Sequence, residues 1–265
     1  MQSIIGEADF IESGVGPKVI LIHSSVAGAR QWAGLMDELA SKFHVIAINL
    51  FGYGKTSAWA AERTQTLEDQ ARLIEALLPD DGSKISIVGH SFGGSVAMKA
   101  AALFKEKVHR LILIEPNPFY LLDQNGRSEA YQEALSLRDC IKDNGRQNTW
   151  ELAAMEFADY WTGEGSWNAM KEDRKAKFIH ALKPNFHEWD AVMNERTSLS
   201  EWEASLPKDT TVLAANDTVR SIGEIVDLMR KNISSWRFEQ IEHGGHMAAM
   251  TRPELINPIV KNALI

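Results

Sequence analysis

Lys84-Ile85-Ser86-Ile87-Val88-Gly89-His90-Ser91-Phe92-Gly93-Gly94 is the stretch on which the fold turns. Its first half is a short run, apolar from Ile85 to Val88 but for Ser86, as expected of a parallel strand buried on both faces. Its second half opens an alanine-rich segment, Phe92–Phe104, with helical spacing. Between them Gly89, Ser91 and Gly93 spell G-x-S-x-G, with the apolar strand before and the small-residue helix after that give the pattern its meaning. A serine at so sharp a strand-to-helix turn takes strained backbone angles, and side chains two positions away on either side would collide with neighbouring backbone. Glycine at 89 and 93 removes that crowding. The hydroxyl then stands above the carboxyl edge of the sheet, where open α/β sheets bind ligands, and N–H groups at the helix start face any negative charge that develops there. A glycine-rich turn with an incidental serine would explain the same letters. The strand–helix context weighs against it.

Upstream, Lys18–Ser24 and His44–Leu50 are two more apolar runs of strand length, separated by Ala29–Phe43, where Trp32, Leu35, Met36, Leu39 and Phe43 share one helical face. Thr66–Leu78 reads as a helix with Pro79 just past its end. Downstream, His109–Glu115 is a fourth strand. Gln2–Ile5 and Ala8–Glu12, split by Gly6, suggest a short antiparallel hairpin. Strand and helix alternating at this rhythm predict an α/β fold, a mostly parallel central sheet with helices on both faces. The rhythm stops at Pro116–Pro118. Helical patterns then hold until strands resume at Thr210–Ala214 and Trp236–Ile241, with helices at Ile222–Ile233 and Pro253–Leu264. The expected division is a core of residues 1–117 and 207–265 with an inserted helical cap, 118–206.

A serine hydroxyl needs a base to become nucleophilic. His243 and His246 lie in Glu242-His243-Gly244-Gly245-His246-Met247, after the last strand, in a loop that opens at the same sheet edge as Ser91. His246 is preferred, because two glycines let the chain fold back toward the serine, whereas His243 sits nearer the strand end. A metal site built on this pair lacks a third ligand at sensible spacing.

With these landmarks in order, the chain resembles the α/β-hydrolase fold superfamily over essentially its whole length. The turn Leu21-Ile22-His23-Ser24-Ser25, the turn Phe51-Gly52-Tyr53-Gly54, the serine elbow, the helical insertion and the late Gly-His all match. The resemblance implies acyl transfer by Ser91, His246 and a carboxylate, with an oxyanion hole from the N–H groups of Phe92 and Ser25. It also implies that His23, Ser24, His90, Phe119 and Met247 contact substrate. Three features depart from the family pattern. His-Ser replaces His-Gly at positions 23–24, and Asn49-Leu50-Phe51-Gly52 replaces Asp-x-Arg-Gly. Asp217 keeps the family's acid spacing after the penultimate strand but loses the glycine before it. Some members take the acid from the strand after the elbow helix, which here ends in Glu115. Asp217 is the first choice and Glu115 the alternative.

The remaining composition narrows the function classes. The chain is 265 residues long, 45% hydrophobic and 24% charged, and no apolar run reaches membrane-spanning length. A formal net charge of -8 disfavours non-specific attraction to nucleic acid or anionic membranes. The N-terminus shows no basic segment followed by an apolar run, and Cys140 is the only cysteine; both fit a cytoplasmic protein. Gly54-Lys55-Thr56 is not a phosphate loop, because Asn49 stands where the earlier glycine is required. No Rossmann fingerprint follows the first strand, so no cofactor is expected. The partner expected is a small-molecule substrate, with room for a homo-oligomer. Five of eight tryptophans fall in the insertion, and with Phe119 and Tyr120 they suggest an apolar or aromatic acyl site. A small carboxylic ester is the first expectation. A carbon–carbon bond hydrolase and a non-catalytic ligand receptor are the alternatives.

Overall fold

The computed structural model describes residues 8–265. Seven strands form one sheet: β1 (Phe10–Ser13), β2 (Lys18–Ile22), β3 (His44–Ile48), β4 (Ile85–His90), β5 (Val108–Ile114), β6 (Thr210–Ala215) and β7 (Arg237–Ile241). Their order is β1-β3-β2-β4-β5-β6-β7. Every neighbouring pair is parallel except β1 with β3. The first half of the expected hairpin, Gln2–Ile5, lies outside the described residues; the second half is β1, paired with β3.

Alternation along each strand explains the two layers. Ile20, Ile22, Ile46, Ile48, Ile85 and Ile87 feed one core, while Val19, Leu21, Val45, Ala47, Val88 and Ile112 feed the other. Helices must therefore cover both faces. On one side lie α1 (Ala33–Leu39) and the closing helices α12 (Ala248–Thr251) and α13 (Pro253–Leu264). The other carries α2 (Leu67–Ala71), α3 (Phe92–Phe104) and α11 (Arg220–Asn232). Two expected helices are shorter than their sequence patterns. Ala29–Trp32 is a 3₁₀ turn before α1, with the Ala29 N–H taken by the Asn49 side chain. The segment after α2 tightens to 3₁₀ over Arg72–Leu77, because Leu78 precedes a proline and turns extended. The start of α2 is fixed by a reciprocal Thr66–Asp69 capping box.

Between β5 and β6, which are adjacent, seven helices interrupt the chain: α4 (Tyr120–Gln124), α5 (Ser128–Gln147), α6 (Trp150–Thr162), α7 (Ser166–Ala169), α8 (Glu172–Leu182), α9 (Asn185–Asn194) and α10 (Leu199–Ser205). Most of their buried side chains merge with the core above one sheet face. No helix among the described residues is long and apolar enough to cross a membrane.

Candidate active site

Ser91 follows β4 directly, with φ of 54°, and its N–H donates to the Ile114 carbonyl of β5 at 2.9 Å. A left-handed serine here requires the crossing backbones to come close. A Cβ on Gly93 would overlap the carbonyl oxygens of Ile22 and His23, and one on Gly89 would overlap the Gly93 carbonyl. The glycines are therefore the condition for the bend, and the bend lifts Oγ clear of the sheet.

The loop after β7 brings His246 to this point. Its Nε2 stands 2.8 Å from Ser91 Oγ, and its Nδ1 2.7 Å from Glu115 Oε2, all three groups being buried. With Nδ1–H donating to the carboxylate, Nε2 is left free to accept the serine proton. Glu115, the residue just after β5, has φ of 45° and takes two further hydrogen bonds, from Ala215 N–H at 2.7 Å and Thr218 Oγ1 at 2.6 Å. Burial works against its charge, but His246 and these two donors outweigh it, and the carboxyl lies below its usual range.

Asp217, the first choice from sequence, is not against the imidazole. Its two oxygens accept the N–H groups of Gly244 at 3.1 Å and Gly245 at 2.8 Å. A carboxylate occupied in this way shapes the loop that carries His246 rather than orienting the ring. His243 is exposed, 4.0 Å from the Glu242 carboxylate.

Two histidines expected to touch substrate do not line the cavity. His23 is fully buried; its Nδ1–H donates to Ser24 O at 2.7 Å and its Nε2 accepts Leu50 N–H at 3.1 Å. Desolvation pushes its pKa down to about 4, so it is a neutral strut between two turns. His90 Nε2–H donates to the His246 carbonyl at 2.9 Å, and its Nδ1 accepts Gln31 Nε2–H at 3.1 Å. Burial, aided by repulsion from His246, pushes its pKa down to about 3. It supports the main chain of the base. Asn49, which replaces the family's aspartate, holds Asp9 Oδ2 through its amide at 2.8 Å and accepts the Ala29 N–H, fixing the turns without an arginine.

Above Ser91 lies a cavity of about 650 Å³. Ser24, Ser25, Phe92 and Met247 line its floor, and the inserted helices close it with Phe157, Phe178 and Val192. Phe119 and Trp189 stack at 5.2 Å and 17°. Trp161 lies over the His246 ring, centroids 4.2 Å apart at 30°. The sequence pointed to tryptophans in this insertion without singling these two out. An indole face against imidazole excludes water from one side of the ring and offers its π-face to the charge that develops there during proton transfer. Trp161→Leu is expected to lower kcat about tenfold with a smaller change in KM, a cost within the usual cation–π range; steady-state kinetics on a short ester would check it.

A buried serine at the elbow, a histidine on its hydroxyl and a glutamate behind the ring, all on the carboxyl edge of a doubly covered parallel sheet, mark a recognisable class. The chain belongs to the alpha/beta hydrolase fold family, whose model matches residues 17–253. Among its relatives, a 2-hydroxy-6-oxo-6-(2'-aminophenyl)hexa-2,4-dienoic acid hydrolase of Metapseudomonas resinovorans is 36% identical over 113 residues, 41% of this chain and 38% of that one. The match thus spans well under half of the relative's length. Among solved structures, a thermophilic esterase from Thermogutta terrifontis aligns over 97% of this chain and 92% of its own, with a TM-score of 0.69 and 21% identity. An alpha/beta hydrolase enzyme from a Medee basin deep-sea metagenome library aligns over 97% and 94%, with a TM-score of 0.78 and 12% identity. At these identities the structures speak for the fold alone.

Proposed function

We propose that the protein is a serine hydrolase that cleaves a small apolar carboxylic ester, or a related acyl compound, through an acyl-enzyme. The observation that carries this reading is the continuous hydrogen-bond relay Ser91–His246–Glu115 beneath a largely apolar cavity with several aromatic walls. In this mechanism Ser91 Oγ attacks the carbonyl while His246 Nε2 takes its proton. The tetrahedral oxyanion rests on the N–H groups of Phe92 and Ser25, neither of which has an acceptor among the described residues. His246 then protonates the leaving alcohol, and a water activated by the same ring releases the acid. Each step uses only side chains, main chain and water.

The test is a fluorophosphonate probe together with a panel of nitrophenyl esters. One-to-one labelling of Ser91 and rapid turnover of short or aromatic esters support the proposal. Slow labelling, ligand-dependent stabilisation and negligible turnover would instead favour a small-ligand receptor.

A second reading, carbon–carbon bond hydrolysis, is favoured by the charge around the cavity. Its ionisable lining residues are Arg174, Lys177, Glu188 and His246, and burial pushes the Glu188 carboxyl up, toward its neutral form. In a protein of net charge -8, the exposed rim charges on this cavity are thus both cations. Such a rim favours a substrate with a carboxylate at its outer end. Removing both cations (Arg174→Ala with Lys177→Ala) is expected to raise KM about tenfold for an acid-bearing ester at low salt, and less for its neutral methyl counterpart. Equal KM changes for the two esters would remove the charge argument.

A further inference from the structure

Beyond the triad, the cavity wall holds a carboxyl that the hydrolytic relay does not use. Glu188 is buried on α9, and the structure surrounds it with three neutral donors. Ser25 Oγ lies 2.5 Å and Asn185 Nδ2 2.8 Å from Oε2, and Tyr53 OH lies 2.8 Å from Oε1. Among the described residues no cation pairs with it. A buried carboxyl without a cation is costly compared with an apolar side chain of similar size, so these contacts call for an explanation in function.

The partners supply one. Ser25 carries an oxyanion N–H in the reading above. Tyr53 OH also accepts the N–H of Val26 at 3.0 Å, and Val26 has φ of 69°, a left-handed conformation that a β-branched residue adopts only under constraint. Both successive residues of the loop after His23 are thus tied to one carboxyl, Ser25 directly and Val26 through Tyr53. That carboxyl belongs to the inserted helices, more than 130 residues further along the chain. The helix bearing it is itself anchored to α5, where Lys142 Nζ meets Asp190 Oδ2 at 2.6 Å and the Phe186 carbonyl at 2.9 Å.

We propose that Glu188 is a positioning residue for the oxyanion loop, holding Ser25 and the strained Val26 so that the oxyanion site is complete only while α9 is seated on the core. The inference rests on the serine-hydrolase reading and adds to it a coupling between cap and oxyanion site. A neutral carboxyl can also donate to Ser25 Oγ, and the upward push of burial favours that form.

The experiment measures kcat and KM for nitrophenyl acetate, whose acyl group is too small to need the cap wall, together with the rate of Ser91 labelling by a fluorophosphonate. Glu188→Ala should lower kcat and labelling by on the order of 10²-fold, as expected for a misplaced oxyanion donor, with KM changed less than about threefold. Glu188→Gln keeps an acceptor for Tyr53 and a donor for Ser25 once the Asn185 amide turns its unpartnered Oδ1 toward the new Nε2–H, and should recover most of the loss. The double variant Ser25→Ala/Glu188→Ala should be no slower than the slower single variant, since both remove the same tie.

An unchanged kcat in Glu188→Ala, a loss confined to KM, or additive effects in the double variant would each overturn the proposal. If Glu188→Ala does not fold, Glu188→Gln and Tyr53→Phe decide the matter, the latter releasing Val26 while keeping the ring. A Tyr53→Phe variant with wild-type kcat overturns it; a loss in kcat that is much smaller in Glu188→Gln supports it. A wild-type protein that is neither labelled nor active would sink the serine-hydrolase reading itself, whereas an active wild type with an indifferent Glu188 sinks only this inference.

Discussion

Glu115→Gln is expected to lower kcat by about four orders of magnitude, the cost of an amide behind the histidine of a serine triad. The loss has two sources. An amide nitrogen placed at 2.7 Å from Nδ1 forces the ring toward the wrong tautomer, so that Nε2 carries the proton and cannot accept one from Ser91. The imidazolium formed during attack also loses its counter-charge. KM should move little, because Glu115 does not line the cavity. Ser91→Ala should be at least as damaging, since members of one relay are not additive. Asp217→Asn, by contrast, is expected to cost less than about tenfold: the amide keeps one oxygen for the Gly244 and Gly245 N–H groups and only loosens their loop. Steady-state kinetics on one nitrophenyl ester separate the cases, and a dead Asp217→Asn beside an active Glu115→Gln would reverse the assignment. Thermal melts add a check on sign. The Glu115 carboxyl is held below its ordinary value of 4.5, so its ionised form stabilises the fold above that pH, and the contribution fades as pH falls through the lowered value. The glutamine variant should lack that acid-side loss.

The choice between the two carboxylates shows where a sequence reading stops. The elbow was legible because its constraint is local: a strand, a bend and a helix within a few residues, with glycine where backbones touch. The strands were legible for the same reason, their apolar runs needing no partner to be recognised. His246 followed from its position after the last strand. Asp217 and Glu115, however, follow adjacent strands, β6 and β5, and both lie at the sheet's carboxyl edge. Their roles depend on which of them the Gly244–Gly245 loop captures, a three-body question that spacing does not answer. His23 and His90 were misplaced because burial of a lone histidine is set by turns distant in sequence, Leu50 for one and Gln31 with His246 for the other. Glu188 left a fainter signal. Asn185, Glu188, Trp189 and Val192 recur at one-turn spacing and form the buried face of α9. A carboxylate and a carboxamide on the same apolar stripe as Trp189 were the available hint that this helix does more than pack.

Gly93→Ala is expected to remove stability and activity together, and the two losses test the elbow from the opposite side to the triad variants. The added methyl would meet the carbonyl oxygens of Ile22 and His23, which are rigid main chain at the end of a central strand and cannot rotate away. Relief requires α3 to lift from β2, and α3 is buried along most of its length against the sheet. A cost of more than about 3 kcal/mol is expected, at the upper end for overpacking a close-packed site. The same lift would carry Phe92 N–H and Ser91 Oγ away from His246, so protein that still folds should label slowly with a fluorophosphonate. Gly34→Ala is the control: it adds the same methyl within α1, where nothing stands within 4 Å of the new atom. There the helix gains about 0.5–1 kcal/mol from the lost freedom of glycine, and activity should not change. If Gly93→Ala melts and turns over like Gly34→Ala, backbone crowding is not what bends the chain at Ser91. The strained serine would then need some other cause.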